Sequence, residues 1–158
     1  MAIHRCAVFL GLLAASAALH AGPTGHPRDT TCRVIRGTLV PECNAAICSQ
    51  GAVTGDLRGR FTSKVTSIYP AGSGWIYTSW TVIELEGRNG RIETSNEGTA
   101  PRDAKGGPDL SQATEVLTLT EATGAYQDRS ATLVMAGAHA LGRATPWVGR
   151  LCQQAAPQ

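Results

Sequence analysis

A chain of 158 residues with 14 basic and 12 acidic side chains carries a formal charge of only +2. No basic patch stands out along it, which argues against nucleic acid or an acidic membrane surface as a partner. Eighteen glycines and recurring short runs of Thr and Val favour strands and turns over helices, and no segment repeats apolar residues at the helical period.

His4 and Arg5 open the chain, an apolar run extends from Cys6 to Leu19, and small residues cluster up to Ala21. A positive start, an apolar stretch and small residues form the layout of a secretory signal peptide. The run is too short and too rich in Ala to span a membrane. Cleavage is expected after Ala21, with the Ser16-Ala17-Ala18 triplet as the alternative, so the chain is expected to be secreted or periplasmic without membrane insertion. Cys6 leaves with the signal. It begins the apolar run and does not follow it, so it is no lipoprotein anchor. Cys32, Cys43, Cys48 and Cys152 remain, and an even number in an oxidising compartment implies disulfides. Four cysteines allow three pairings.

Residues 22–31 contain Pro23, Gly25 and Pro27 and read as a flexible leader. Residues 32–40 form a first predicted strand, and residues 41–50 a loop holding Cys43 and Cys48. Residues 52–68 alternate most clearly: Val53, Leu57, Phe61 and Val65 fall on one face, while Thr54, Asp56, Arg58, Arg60, Thr62 and Lys64 fall on the other. Period two over this length predicts one strand with a wet face, with Gly55 and Gly59 marking bends or close strand approaches. A turn at 70–74 leads into a strand at 75–86, and the Asn89-Gly90 pair makes a hairpin turn into a strand at 91–97. Residues 98–112 read as a long polar loop, a length that is mobile or functional. Strands are then expected at 113–121, 130–141 and 145–152, with a turn at 123–128 and a disordered tail at 153–158.

Roughly six to eight antiparallel strands with short turns make a closed barrel or a sandwich. A closed meander pairs its last strand with its first, which sets Cys32 beside Cys152 and leaves Cys43 to pair with Cys48. The first of these bridges closes almost the whole chain, worth about 4–5 kcal/mol in the loop-entropy description.

Three stretches resemble a known group: residues 51–59 (GAVTGDLRG), residues 123–133 (TGAYQDRSATL) and residues 148–152 (VGRLC). A glycine-punctuated first hairpin, a Thr-Gly-aromatic turn entering a strand of small residues, and a final strand containing Gly are similar to allene oxide cyclase-like and dirigent-like proteins. The likeness covers roughly residues 32–152. It departs at Glu121-Ala122, where comparable members carry a fuller Gly-Gly-Thr-Gly before the aromatic. The resemblance implies an all-β, closed, antiparallel, calycin-like barrel of about eight strands. It also implies a lumen or mouth that holds a small apolar molecule, in some members with cyclase or isomerase chemistry, and it admits a homo-oligomer. No catalytic residue of the family is placed on this chain by motif.

Direct signs of chemistry are sparse. Only His26 and His139 follow the signal, so no zinc site is expected, and no cofactor is expected either. A Gly-X-Ser-X-Gly elbow and a Walker-type loop are both missing from the sequence. Glu84 and Glu86 share a face beside the hairpin turn and read as a solvated strand end. Glu115 shares its face with Leu117 and Leu119. If those leucines point inward it is a lumen carboxylate suited to acid/base work, whereas at a strand end it is simply wet, the simpler reading. His139, in phase with Leu133, Met135 and Gly137, is the other weak catalytic candidate. Phe61, Trp75, Tyr77, Leu117, Leu119 and Met135 are the candidate lining of an apolar ligand site, with core filling as the competing role. Tyr126 is expected to plug one barrel end. Three functions stay open: a ligand-binding barrel without catalysis, a cofactor-free cyclase or isomerase, and a structural or host-facing scaffold with a filled interior.

Overall fold

The structure, a computed structural model, describes residues 31–42, 50–87, 89–137 and 143–153. Eight strands follow one another: β1 (Cys32–Pro41), β2 (Gln50–Gly55), β3 (Gly59–Ala71), β4 (Gly74–Leu85), β5 (Arg91–Pro101), β6 (Thr114–Ala122), β7 (Arg129–Ala136) and β8 (Thr145–Gln153). Each pairs antiparallel with its chain neighbour, and β8 returns to β1, so the sheet closes into a barrel. At the seam Cys32 lies opposite Cys152, eight residue pairs extend to Leu39 opposite Thr145, and the Cys32–Cys152 disulfide is formed. The all-β fold, the closure and this bridge agree with the sequence reading. Cys43, Cys48 and His139 lie outside the described residues, as do the signal segment, leader residues 22–30 and residues 154–158, while Gln153, expected in the tail, ends β8.

The segment read as one strand over 52–68 is two, β2 and β3, joined by a tight hairpin. Gly55 takes φ +103°, which a side chain would resist, and the Asp56 carboxylate accepts the Arg36 backbone N–H at 2.8 Å. The alternation survived the turn because Gly51 faces Phe61 and Val53 faces Gly59, which keeps Val53 and Phe61 inside. Leu57, at the tip, folds under the barrel and is buried. A buried tip residue in phase with its neighbours is what made the hairpin look continuous.

β5 also runs further than expected, through Gly98 to Pro101. Gly98 lies opposite Tyr77, and a Cβ there would come within 2.6 Å of the tyrosine Cε1. The glycine that suggested a loop is a strand residue kept small by an aromatic ring above it. The connection that follows carries a 3-10 turn at Leu110–Gln112, whose buried Leu110 packs with Ala113, Ala100 and Tyr77 over one barrel end. Asp109 starts that turn. Hydrogen bonds from the Ser111 and Gln112 side chains, and from the Ser111 backbone, hold its carboxyl below the ordinary carboxylate range.

Inward positions divide into three layers along the strands. The main apolar cluster joins Ile35, Leu39, Val53, Phe61, Ile83, Leu117, Leu133, Met135 and Trp147, with Tyr126 packed against it. A smaller cluster around Tyr77 lies at the other end. Between them, on β3 to β6, the inward residues are polar: Ser63, Ser79, Thr81, Thr94, Asn96 and Glu115.

Candidate functional site

Glu115 is not wet: its exposure is 0 %, and it points inward with Leu117, as the lumen alternative required. It is the second residue of β6, but that end is no open rim, because Leu110 and Ala113 cover it. Ser79 donates to the Glu115 carboxylate (Oγ to Oε1, 2.5 Å). Asn96 donates to Ser79 Oγ at 2.9 Å and to Thr81 Oγ1 at 2.8 Å, and accepts from Thr94 Oγ1 at 2.6 Å. Thr81 passes the chain to Ser63 at 2.9 Å, and Ser63 ends it on the Trp80 carbonyl at 3.2 Å. Four strands are thereby tied together through their interior side chains as well as their backbones. Tyr77, also buried, borders this layer. Burial, and then the negative charge of Glu115, push its phenol well above its ordinary value.

The main apolar cluster beside this layer is closely packed. The internal cavity lined by Leu39, Val53, Thr81, Ile83, Leu117, Leu133, Met135 and Trp147 measures about 10 Å³, the least that admits one water. Phe61, Leu117 and Met135, read as ligand lining, fill the main cluster, and Leu119 is half-buried against it. Tyr77 belongs to the smaller cluster. Trp75 lies apart from these, under the capping loop. Its indole N–H donates to the Gly106 carbonyl at 3.2 Å, and the Arg102 guanidinium stacks 5.7 Å from its ring centre. The structure therefore places Phe61, Tyr77, Leu117 and Met135 in the buried clusters, Leu119 at the edge of the main one, and Trp75 apart.

A larger concavity lies on the outside. Strands β6, β7, β8 and β1 carry a groove of about 590 Å³ whose lining includes Val34, Leu119, Val134, Val148 and Arg150, with the Cys32–Cys152 bridge at its rim. Val116, Val134 and Val148 form a row across three strands, each directly opposite the next. They are 38 %, 43 % and 50 % exposed, and Val34 is 58 % exposed. Sequence reasoning missed both features. The polar layer had a signal, since Ser79 and Thr81 share the phase of Tyr77 and Ile83, and Asn96 shares that of Ile92. The groove's signal was the absence of charge among the outward residues Thr114, Val116, Thr118 and Thr120 of β6 and Ser130, Thr132, Val134 and Ala136 of β7.

Compared with family models, curated proteins and solved structures, the chain matches none.

Proposed function

We propose that this chain is an exported, disulfide-closed barrel that serves as a rigid binding scaffold, working through its outer wall and not through its lumen. The observation that carries the reading is the contrast between an internal cavity of about 10 Å³ and an outer groove of about 590 Å³. Ligand sites run to roughly 300–1,000 Å³, and of these two spaces among the described residues the groove has the required size. Export draws support from the signal-like start of the sequence and from a disulfide of the kind that persists in oxidising compartments. Kinship with the allene oxide cyclase-like and dirigent-like barrels draws support from the closed eight-stranded meander. A lumen carrier, or a cyclase using Glu115, needs substrate access to the carboxylate, whereas Glu115 is fully buried and hydrogen-bonded to Ser79.

Titration with the neutral apolar dye phenylnaphthylamine separates wall from lumen. Wild type is expected to enhance its emission, the double variant Val134→Asp/Val148→Asp to abolish the enhancement, and Leu117→Ala to leave it unchanged. Emission that survives the wall variant and grows with Leu117→Ala would return the site to the lumen. No enhancement in wild type would remove the wall as an apolar binding face.

A further inference from the structure

Resting on the reading that the outer wall is the working face, we propose that the groove over β6, β7, β8 and β1 binds a single-chain phospholipid with an anionic phosphate head. The acyl chain lies on the valines and the phosphate meets Arg150. Arg150 is the one charged residue in the groove's lining. Among the described residues it has no ion-pair partner, unlike Arg33, Arg60 and Arg91, which face acids. In the sheet it lies directly opposite Thr132, which lies opposite Thr118. Ser130 stands two residues from Thr132 on the same strand face. These three hydroxyls make no hydrogen bond among the described residues and also line the groove. A guanidinium flanked by three hydroxyl donors offers more donors than the two oxygens of a carboxylate use, and suits the oxygens of a phosphate. One register step away, the valine row supplies the apolar half of the site.

The same charge pattern argues against a second copy of the chain as the occupant. A two-fold contact places one patch on itself. Among the described residues the groove's lining contains Arg150 and no acid, so a two-fold contact centred on Arg150 would bring two guanidinium groups together without a counter-charge from that lining, which is costly. One cation in the lining, with Arg36 beside Val148, is likewise too little for nucleic acid, whose binding rests on several phosphate contacts.

The test is calorimetric titration of the full secreted protein with lauroyl lysophosphatidylglycerol below its micelle-forming concentration. Dodecyl maltoside (same tail, neutral head) and laurate (carboxylate head) serve as comparisons, and sedimentation of the wild type runs in parallel. Saturable one-to-one binding is expected for the phospholipid. Laurate should bind more weakly, and the maltoside about tenfold or more weakly. Arg150→Gln should cost the phospholipid a similar factor while leaving maltoside binding unchanged, and Arg150 is exposed, so the variant should fold. Equal binding of all three probes, or an Arg150→Gln variant as tight as wild type, would overturn the phosphate assignment while leaving an apolar wall site standing. Binding of none would overturn both this proposal and the one it rests on. A wild-type dimer that Val134→Asp dissociates would show the face to be an interface between copies and would also overturn it.

Discussion

Ser79 on β4 hydrogen-bonds Glu115 on β6, although the two strands do not pair and β5 runs between them. The contact crosses the barrel interior above Asn96, which bonds to Ser79 in turn. Buried polar side chains hold only when their partners are in place, because an abandoned donor or acceptor keeps its full desolvation cost.

Asn96 is therefore the most sensitive member of the layer. It makes three side-chain hydrogen bonds at 0 % exposure. Asn96→Ala takes one partner each from Ser79, Thr81 and Thr94, which keep one other apiece, leaves a buried void, and is expected to cost about 2–4 kcal/mol. Urea denaturation checks this through a lowered midpoint at unchanged slope. A loss under about 0.5 kcal/mol, the range of ordinary surface changes, would show that the layer contributes little.

Breaking the seam bridge has a different signature. Cys32 and Cys152 are 120 residues apart, and their bond removes loop entropy from the unfolded chain worth about 5 kcal/mol in that description. Cys32→Ser/Cys152→Ser is expected to lose about 3–5 kcal/mol. It should keep the native far-ultraviolet circular dichroism at low temperature, since the eight β1–β8 residue pairs remain. Thermal melts should place the variant well below the oxidised wild type. A variant that melts with the oxidised wild type contradicts the assignment.

Tyr77 makes stability depend on alkaline pH. Burial and the Glu115 charge raise its folded-state value above the unfolded value near 10. The folded state thus holds its proton more tightly, and the resulting stability is fully present below about pH 10 and declines above it. Denaturation midpoints measured from pH 8 to pH 11 should fall more steeply in wild type than in Tyr77→Phe. Parallel curves would mean that the phenol titrates as freely folded as unfolded.

The fold was legible where one physical rule acted alone. The nearness of Cys32 and Cys152 followed from closing a meander on itself, and the shared face of Val53 and Phe61 followed from period two. It was illegible where two rules collided. Leu57 obeyed the strand alternation while sitting in a turn, and Gly98 looked like a loop because Tyr77 requires a residue without a side chain. Glu115 was misread because nearness to a strand end implies water only if nothing caps that end, and the 3-10 turn just upstream, whose Leu110 forms the cap, lay in a stretch that read as a polar loop. The groove depends on four strands meeting side by side, two of them from opposite ends of the chain.

The Cys32–Cys152 register has one more consequence. It places the chain's entry and exit side by side, so a short linker joining them would disturb no strand. New termini could then be cut at the exposed Glu86–Gly87 step between β4 and β5. A circular permutant of this kind should refold into the same barrel. Its new ends would emerge at the same barrel end as the bridge but half-way round the closed sheet from β8 and β1, leaving the groove's wall clear for immobilisation on a surface.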